Sequence, residues 1–218
     1  MNMKLVKRII AATLAATLMI APAITAGAAT DTGSGAATQT TGGTTTTQTT
    51  ATVVNPNVSS ESTVAVGGVV LKSQVAGAYA VRSLAGVAIR QSAATIKTAA
   101  GLAANETPFV RAYDITAKNS PAAFASINAA AASVGGTVIG AINIDLGKLT
   151  AGKFSQLSAD VAVPTTVGVK NPPAGKTLAV VKVLPGGAFE VLQDADDNAY
   201  TVTFNITGGL AAYAVIAY

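Results

Sequence analysis

Three residue types are missing from this chain: its 218 residues include no histidine, no cysteine and no tryptophan. Histidine is the usual acid or base at neutral pH, and cysteine and histidine supply most of the ligands for zinc in proteins. Their absence excludes catalysis that depends on either side chain, metal sites of the zinc type and disulfide bonds. We therefore expect no catalytic residue, no metal site and no cofactor in this protein.

Charge is also scarce, because Asp, Glu, Lys and Arg together make up 11% of the chain. Three of the 14 basic residues, Lys4, Lys7 and Arg8, stand at the extreme N-terminus, which leaves 11 to balance 10 acidic residues. These 11 are scattered, whereas nucleic-acid-binding proteins carry basic stripes that neutralise phosphates. We therefore expect no nucleic acid among the partners.

The first 28 residues have the three parts of a secretory signal peptide. The basic start is followed by an uncharged apolar stretch at residues 9–20, then by Pro22 and by Ala26-Gly27-Ala28. A bilayer-spanning helix needs about 20 apolar residues, so this stretch is too short to be a membrane anchor. We predict a signal peptide at residues 1–28, a secreted protein that is extracellular or loosely associated with the cell wall, and no membrane contact after cleavage. A buried N-terminal helix is the alternative.

A second zone, residues 29–60, differs sharply in composition. Eleven of the 21 residues from 30 to 50 are threonine, and Asp31 is the only charge among them. Such a segment has too little apolar surface to offset the entropy lost on ordering. We predict a disordered Thr-rich linker here; a β-strand is the alternative, since threonine favours strands.

The remaining residues, 61–218, have the length of one ordinary domain, and their pattern predicts an α+β fold. The first half is expected to alternate helices and strands, and short strands are also predicted at 64–71 and 87–90. The α/β segment comprises a helix at 92–100 capped by Ser92, a strand at 108–115, a helix from Ser120-Pro121 to Gly135-Gly136, and a buried strand at 137–146.

From residue 157 onward the pattern predicts an antiparallel β-sheet. Strands at 177–184 and 188–193 flank the hairpin signal Pro185-Gly186-Gly187, and a last strand spans 210–218. Between them lies a strand whose inward face is predicted to be Tyr200, Val202, Phe204 and Ile206, with Thr201, Thr203 and Asn205 on the opposite face.

Part of this region resembles a known class of module. The resemblance lies in four strand motifs, the second of them preceded by a Gly turn: Lys176-Thr177-Leu178-Ala179-Val180-Val181-Lys182-Val183, Pro185-Gly186-Gly187-Ala188-Phe189-Glu190-Val191-Leu192, Thr201-Val202-Thr203-Phe204 and Ala212-Tyr213-Ala214-Val215-Ile216. They are similar to the terminal β-module of many Gram-positive extracellular proteins. Residues 113–121 and 141–147 are similar to uncharacterised clostridial secreted proteins with the same signal, Thr-rich stalk and single domain. The resemblance implies an extracellular setting and no known activity.

Two groups of acidic residues are candidates for chemistry. Asp194-Ala195-Asp196-Asp197-Asn198 has alternating oxygen ligands suited to calcium, but residue 199 is Ala and residue 205 is Asn where an EF-hand needs Gly and Glu. A plain hairpin turn uses the same residues, and we favour it.

The second group comprises Glu106, Asp114 and Asp145, any two of which would serve a glycosidase as a carboxylate pair. Acids at strand ends more often bind loop amides or lie in solvent. The sequence therefore favours a secreted or cell-surface-associated non-catalytic module of structural, adhesive or binding type, with an extracellular protein or glycan as its unknown partner. A small secreted carbohydrate-active enzyme or carbohydrate-binding domain that uses carboxylates is the alternative.

Overall fold

The computed structural model describes residues 58–218. The predicted signal peptide and all but the last three residues of the predicted linker lie outside the described residues. Within residues 58–218 the chain is mostly β, with two short helices. Neither of these helices has the length and apolar character needed to cross a membrane.

The elements follow one another with short connections. In chain order they are β1 (Thr63–Val66), β2 (Val69–Lys72), β3 (Gly77–Ala80), β4 (Val87–Ile89), α1 (Ala93–Ala99), β5 (Glu106–Asp114), α2 (Pro121–Ser133), β6 (Thr137–Thr150), β7 (Lys153–Gln156), β8 (Ala162–Gly168), β9 (Leu178–Val183), β10 (Phe189–Gln193), β11 (Thr201–Thr207) and β12 (Ala212–Ala217).

Three sheets are formed. The large sheet has the order β10-β9-β12-β6-β5-β3, with β7 added to β6, and all its pairs are antiparallel except β3 with β5. The small sheet has the antiparallel order β11-β8-β4, and β1 and β2 form a separate hairpin. The β3 edge of the large sheet also bonds Ser59 and Ser60, two residues that the sequence assigned to the linker.

Two apolar layers hold these elements together. The inner layer lies between the large and small sheets, where Val110, Ile144 and Leu146 pack with Val167 and Phe204. The outer layer lies between the other face of the large sheet and α2. It consists largely of small side chains, including Ala130, Ala131, Ala141, Ala179 and Ala214. Alanine on both surfaces allows α2 to approach the sheet closely, which explains why an Ala-rich run forms this helix.

Both predicted helices are present. Ser92 accepts a hydrogen bond from the Thr95 amide and caps α1, and Gly101 follows the helix with φ +61°. Pro121 opens α2, and Gly135 follows its end with φ +69°. Ser120 occupies the N-cap position of α2, as its place before Pro121 predicts, but its side chain makes no capping hydrogen bond.

The helix, strand, helix, strand order predicted for residues 92–146 and the antiparallel pairing predicted for the C-terminal strands are present, but the two halves do not form separate sheets. The last strand, β12, pairs with β6 on one side and β9 on the other, so one large sheet includes both halves. The predicted strand at 64–71 is a hairpin, because Gly67 and Gly68 adopt φ +56° and +78° and reverse the chain. The predicted β9–β10 hairpin is confirmed, and its turn glycines also have positive φ.

The predicted faces of β11 need two corrections. Val202, Phe204 and Ile206 are buried as expected, but Tyr200 precedes the strand and is 41% exposed. Thr201, placed on the outward face, is only 2% exposed because its hydroxyl donates to the Asp196 carboxylate. β11 does not pair with β9, β10 or β12; it pairs with β8 in the small sheet.

Candidate functional site

The three candidate acidic residues do not meet. Glu106 and Asp114 stand at opposite ends of β5, about 26 Å apart at the usual rise of a strand. Asp145 on β6 lies opposite Arg111, so the alternation along β5 directs it to the other face of the sheet from Glu106 and Asp114. This arrangement provides no carboxylate pair that could flank a glycosidic bond.

Each of these carboxylates has its own structural partner. Glu106 accepts a hydrogen bond from Lys148 Nζ at 2.6 Å and another from the Ala103 amide. The Lys148 bond, followed by that of the amide, lowers the pKa of Glu106. Asp114 accepts bonds from the backbone amides of Arg82 and Ser83 and holds their loop against the end of β5. Both carboxylates therefore stabilise the local structure through these hydrogen bonds.

Asp145 is the most deeply buried of the three. Its side chain is 2% exposed and accepts a bond from Arg111 Nη2 at 2.8 Å, while the Arg111 guanidinium lies 3.9 Å from the centre of the Phe154 ring. The pair is only partly buried, because the Arg111 side chain is 44% exposed, so its loss should cost less than the ~3–5 kcal/mol typical of a fully buried pair. Arg111 therefore neutralises Asp145, and it stacks on Phe154 as a cation–π pair.

The segment from Asp194 to Asn198 crosses between sheets and is not the hairpin turn that the sequence favoured. It connects β10, at the edge of the large sheet, to β11, at the edge of the small sheet. Asp194 Oδ1 accepts bonds from the amides of Asp196 and Thr203, and Asp196 Oδ1 accepts one from the amide of Asn198. The carboxylates thus order the crossover by binding its own backbone. Across residues 58–218, no three acidic side chains are grouped closely enough to hold a metal ion.

A pocket opens on the outer face of the large sheet, beside the N-terminal half of α2. Its volume is about 460 Å³, within the range of small-molecule sites. The floor is formed by Tyr113, Asn143 and Ala212, which lie side by side on β5, β6 and β12. The walls come from α2, from the turn at residues 184–187 and from residues 210–211.

The pocket has an apolar and electrically neutral lining. No lysine, arginine, aspartate or glutamate is among its lining residues. Three large apolar side chains stand exposed around it, with exposed fractions of 42% for Tyr113, 40% for Leu184 and 56% for Leu210. Burial, and then the negative charge of Asp145, raise the pKa of Tyr113, so its hydroxyl stays protonated at neutral pH.

Asn143 carries the one buried polar side-chain atom of the pocket lining that lacks a partner. The residue is 9% exposed, and its Nδ2 is buried without a hydrogen bond to any described residue. Buried amides are nearly always hydrogen-bonded, so an unpartnered one indicates a structural cost or a function. Rotation about the soft terminal torsion of Asn143 would present either the amide nitrogen or the carbonyl oxygen to the pocket.

Sequence reasoning did not identify this pocket. One signal was present: Asn143 and Asp145 are polar residues on alternate positions of an otherwise apolar strand, Ala141-Ile142-Asn143-Ile144-Asp145-Leu146. The rest of the lining comes from the start of α2 and from two turns that are distant in the sequence. These segments meet only because β12 lies between β6 and β9.

Comparison with known proteins finds no matching family model, no matching curated protein and no matching solved structure.

Proposed function

We propose that this chain is a secreted, non-catalytic binding module whose binding site is the pocket beside α2. The observation that carries the proposal is the contrast between the pocket and the acidic residues. The pocket is open, neutral and apolar, with one unpartnered amide on its floor. The three candidate carboxylates are separated, and each is already engaged by neighbouring groups.

Secretion rests on the signal-peptide pattern at residues 1–28 and on the resemblance to Gram-positive extracellular modules. The Thr-rich segment that follows would then act as a spacer between the module and the cell surface. N-terminal sequencing of the protein recovered from culture medium tests this part. We expect a mature chain that begins after Ala28 or Ala29; a chain that still begins at Met1 would contradict secretion by this route.

Binding is tested by sedimentation of the purified mature protein with cells of the producing strain. Ala122 is exposed on α2 and lines the pocket, whereas Ala125 is exposed on the same helix and does not. Ala122→Phe should block the pocket and abolish cosedimentation, and Ala125→Phe should cosediment like the unmodified protein. Equal cosedimentation of both variants would contradict the pocket as the binding site.

The alternative, a small carbohydrate-active enzyme or a carbohydrate-binding domain that uses carboxylates, has a different signature. An enzyme would release soluble sugars from cell-wall or polysaccharide preparations, and Glu106→Gln or Asp145→Asn would stop the release. We expect no release from the unmodified protein. Steady release that one of these substitutions abolishes would replace the binding proposal.

A further inference from the structure

The lining of the pocket restricts the chemistry of what it binds. A charged ligand group would lose its hydration on entry and would meet no opposite charge on the lining residues. Arg111 and Asp145, the charged residues nearest to Tyr113 and Asn143 on the same face of β5 and β6, already pair with each other at 2.8 Å. The group that enters the pocket is therefore uncharged.

The shape of the apolar surface points to an aliphatic group. Ile115, Val183 and Leu184 line one part of the pocket, and the alanines of α2 line another. Tyr113 is the only aromatic residue in the lining. A sugar ring is usually held by flat stacking on aromatic faces together with several hydrogen bonds, whereas branched aliphatic walls fit an aliphatic side chain.

The floor adds a hydrogen-bonding requirement. Asn143 offers one donor group and one acceptor, both neutral, and its Nδ2 has no partner in the described part of the chain. A backbone amide carries the same combination of one N–H donor and one C=O acceptor. Because Nδ2 is itself shielded from solvent, Asn143 would have to rotate about its terminal torsion to donate to a ligand. After that rotation, a ligand amide next to an aliphatic group would accept from Nδ2 while the aliphatic group fills the pocket.

We infer that the pocket binds a short uncharged peptide segment, with an aliphatic side chain in the pocket and an adjacent backbone amide on Asn143. This inference rests on the proposed function, because it names the ligand class of the same site. It goes beyond that function by favouring a protein partner over a glycan. Leu184 and Leu210, exposed beside the pocket, would contact residues on either side of the inserted one.

Nuclear magnetic resonance titration of the ¹⁵N-labelled mature protein tests the inference. The peptide probe is N-acetyl-leucinamide, the charged control is N-acetyl-lysinamide and the sugar probe is N-acetylglucosamine. The signal followed is the side-chain NH2 pair of Asn143, assigned by its disappearance in Asn143→Leu. We expect a saturable shift with N-acetyl-leucinamide, at least tenfold weaker binding of N-acetyl-lysinamide and of N-acetylglucosamine, and loss of the leucinamide shift in Ala122→Phe but not in Ala125→Phe.

The outcomes separate the two proposals. Tighter binding of N-acetylglucosamine, equal binding of the charged probe or no saturable shift with any probe would overturn the peptide inference. If Ala122→Phe still abolished cosedimentation with cells in those cases, the binding function would stand with another ligand class. If N-acetyl-leucinamide bound as expected while Ala122→Phe still cosedimented with cells like the unmodified protein, the pocket would bind this peptide probe without being the site that binds cells. The proposed function would then be wrong.

Discussion

Replacing Asn143 with leucine should make the folded protein more stable, although Asn143 is the polar centre of the candidate site. A buried polar group without a partner costs about 1–3 kcal/mol, and an apolar group of the same shape removes that cost. The Asn143 side chain is close to leucine in shape, and its Nδ2 is buried and unpartnered. We therefore expect Asn143→Leu to raise the free energy of unfolding by about 1–3 kcal/mol.

Urea unfolding followed by circular dichroism measures this change, with thermal unfolding as a second observable. For a domain of this size each kcal/mol corresponds to about 2–4 °C in Tm. Asn205→Leu is the matched control, because Asn205 is exposed on β11 and its replacement should change stability by less than about 0.5 kcal/mol. A loss of more than about 1 kcal/mol in Asn143→Leu would refute the reasoning, since it would mean that the amide is satisfied in the folded protein.

Three further predictions concern groups that the account treats as structural. Arg111→Met should lower the free energy of unfolding by about 1–3 kcal/mol, because it removes the ion-pair partner of the buried Asp145 at a site where the Arg111 side chain is itself 44% exposed. Adding Asp145→Leu should recover most of that loss in urea unfolding. The pKa of Glu106 is lowered in the folded protein from its ordinary value of 4.5. The ionised Glu106 therefore contributes its full stabilisation above pH 4.5, and that stabilisation is lost as the pH falls through the folded pKa. In thermal unfolding measured from about pH 7 to about pH 2, Glu106→Gln should remove this part of the fall in stability at acid pH. Phe204→Ala should lower the free energy of unfolding by about 3–5 kcal/mol, because Phe204 is buried. Thr203→Ala should lower it by about 1–3 kcal/mol, because the Thr203 hydroxyl donates to Asp196 at 2.6 Å. Equal, small losses in the two variants would contradict the burial of Phe204 and the role of that hydrogen bond.

Local structure was predictable wherever a residue acts on its neighbours. Ser92 and Gly101 bound α1, Pro121 opens α2, and the alternation along β5 buries Val110 and Ala112 while Arg111 stays half-exposed. Each of these outcomes depends on backbone preference or on burial over a few residues. The sequence therefore contained enough information to locate these elements.

Strand partners were not predictable in the same way. β9 is an apolar run interrupted only by Lys182 and β11 alternates apolar with polar residues, but neither pattern specifies a partner: β9 is paired on both sides, by β10 and β12, and β11 joins β8 in the other sheet. The choice depends on which edges remain free and on the polar crossover that Asp194 and Asp196 order. Partner choice is thus a property of the whole chain, which a local pattern does not contain.

The candidate site was missed for a related reason. Its lining comes from β5, β6, β12, the start of α2 and two turns, which are spread along the sequence from Tyr113 to Ala212. Only the alternation of Asn143 and Asp145 with buried residues marks that strand as unusual. Asp145 is polar because it pairs with Arg111. Asn143 has no such partner, since its buried Nδ2 makes no hydrogen bond within the described residues.

The most direct test of the central claim is the detection of intermolecular nuclear Overhauser effects between N-acetyl-leucinamide and the methyl groups of the protein. We expect contacts from the leucine methyls of the probe to Ile115, Val183 and Leu184, which line the pocket. Contacts confined to other exposed apolar residues, such as Val70, or the absence of any contact at saturating probe, would contradict the claim that this pocket is the binding site.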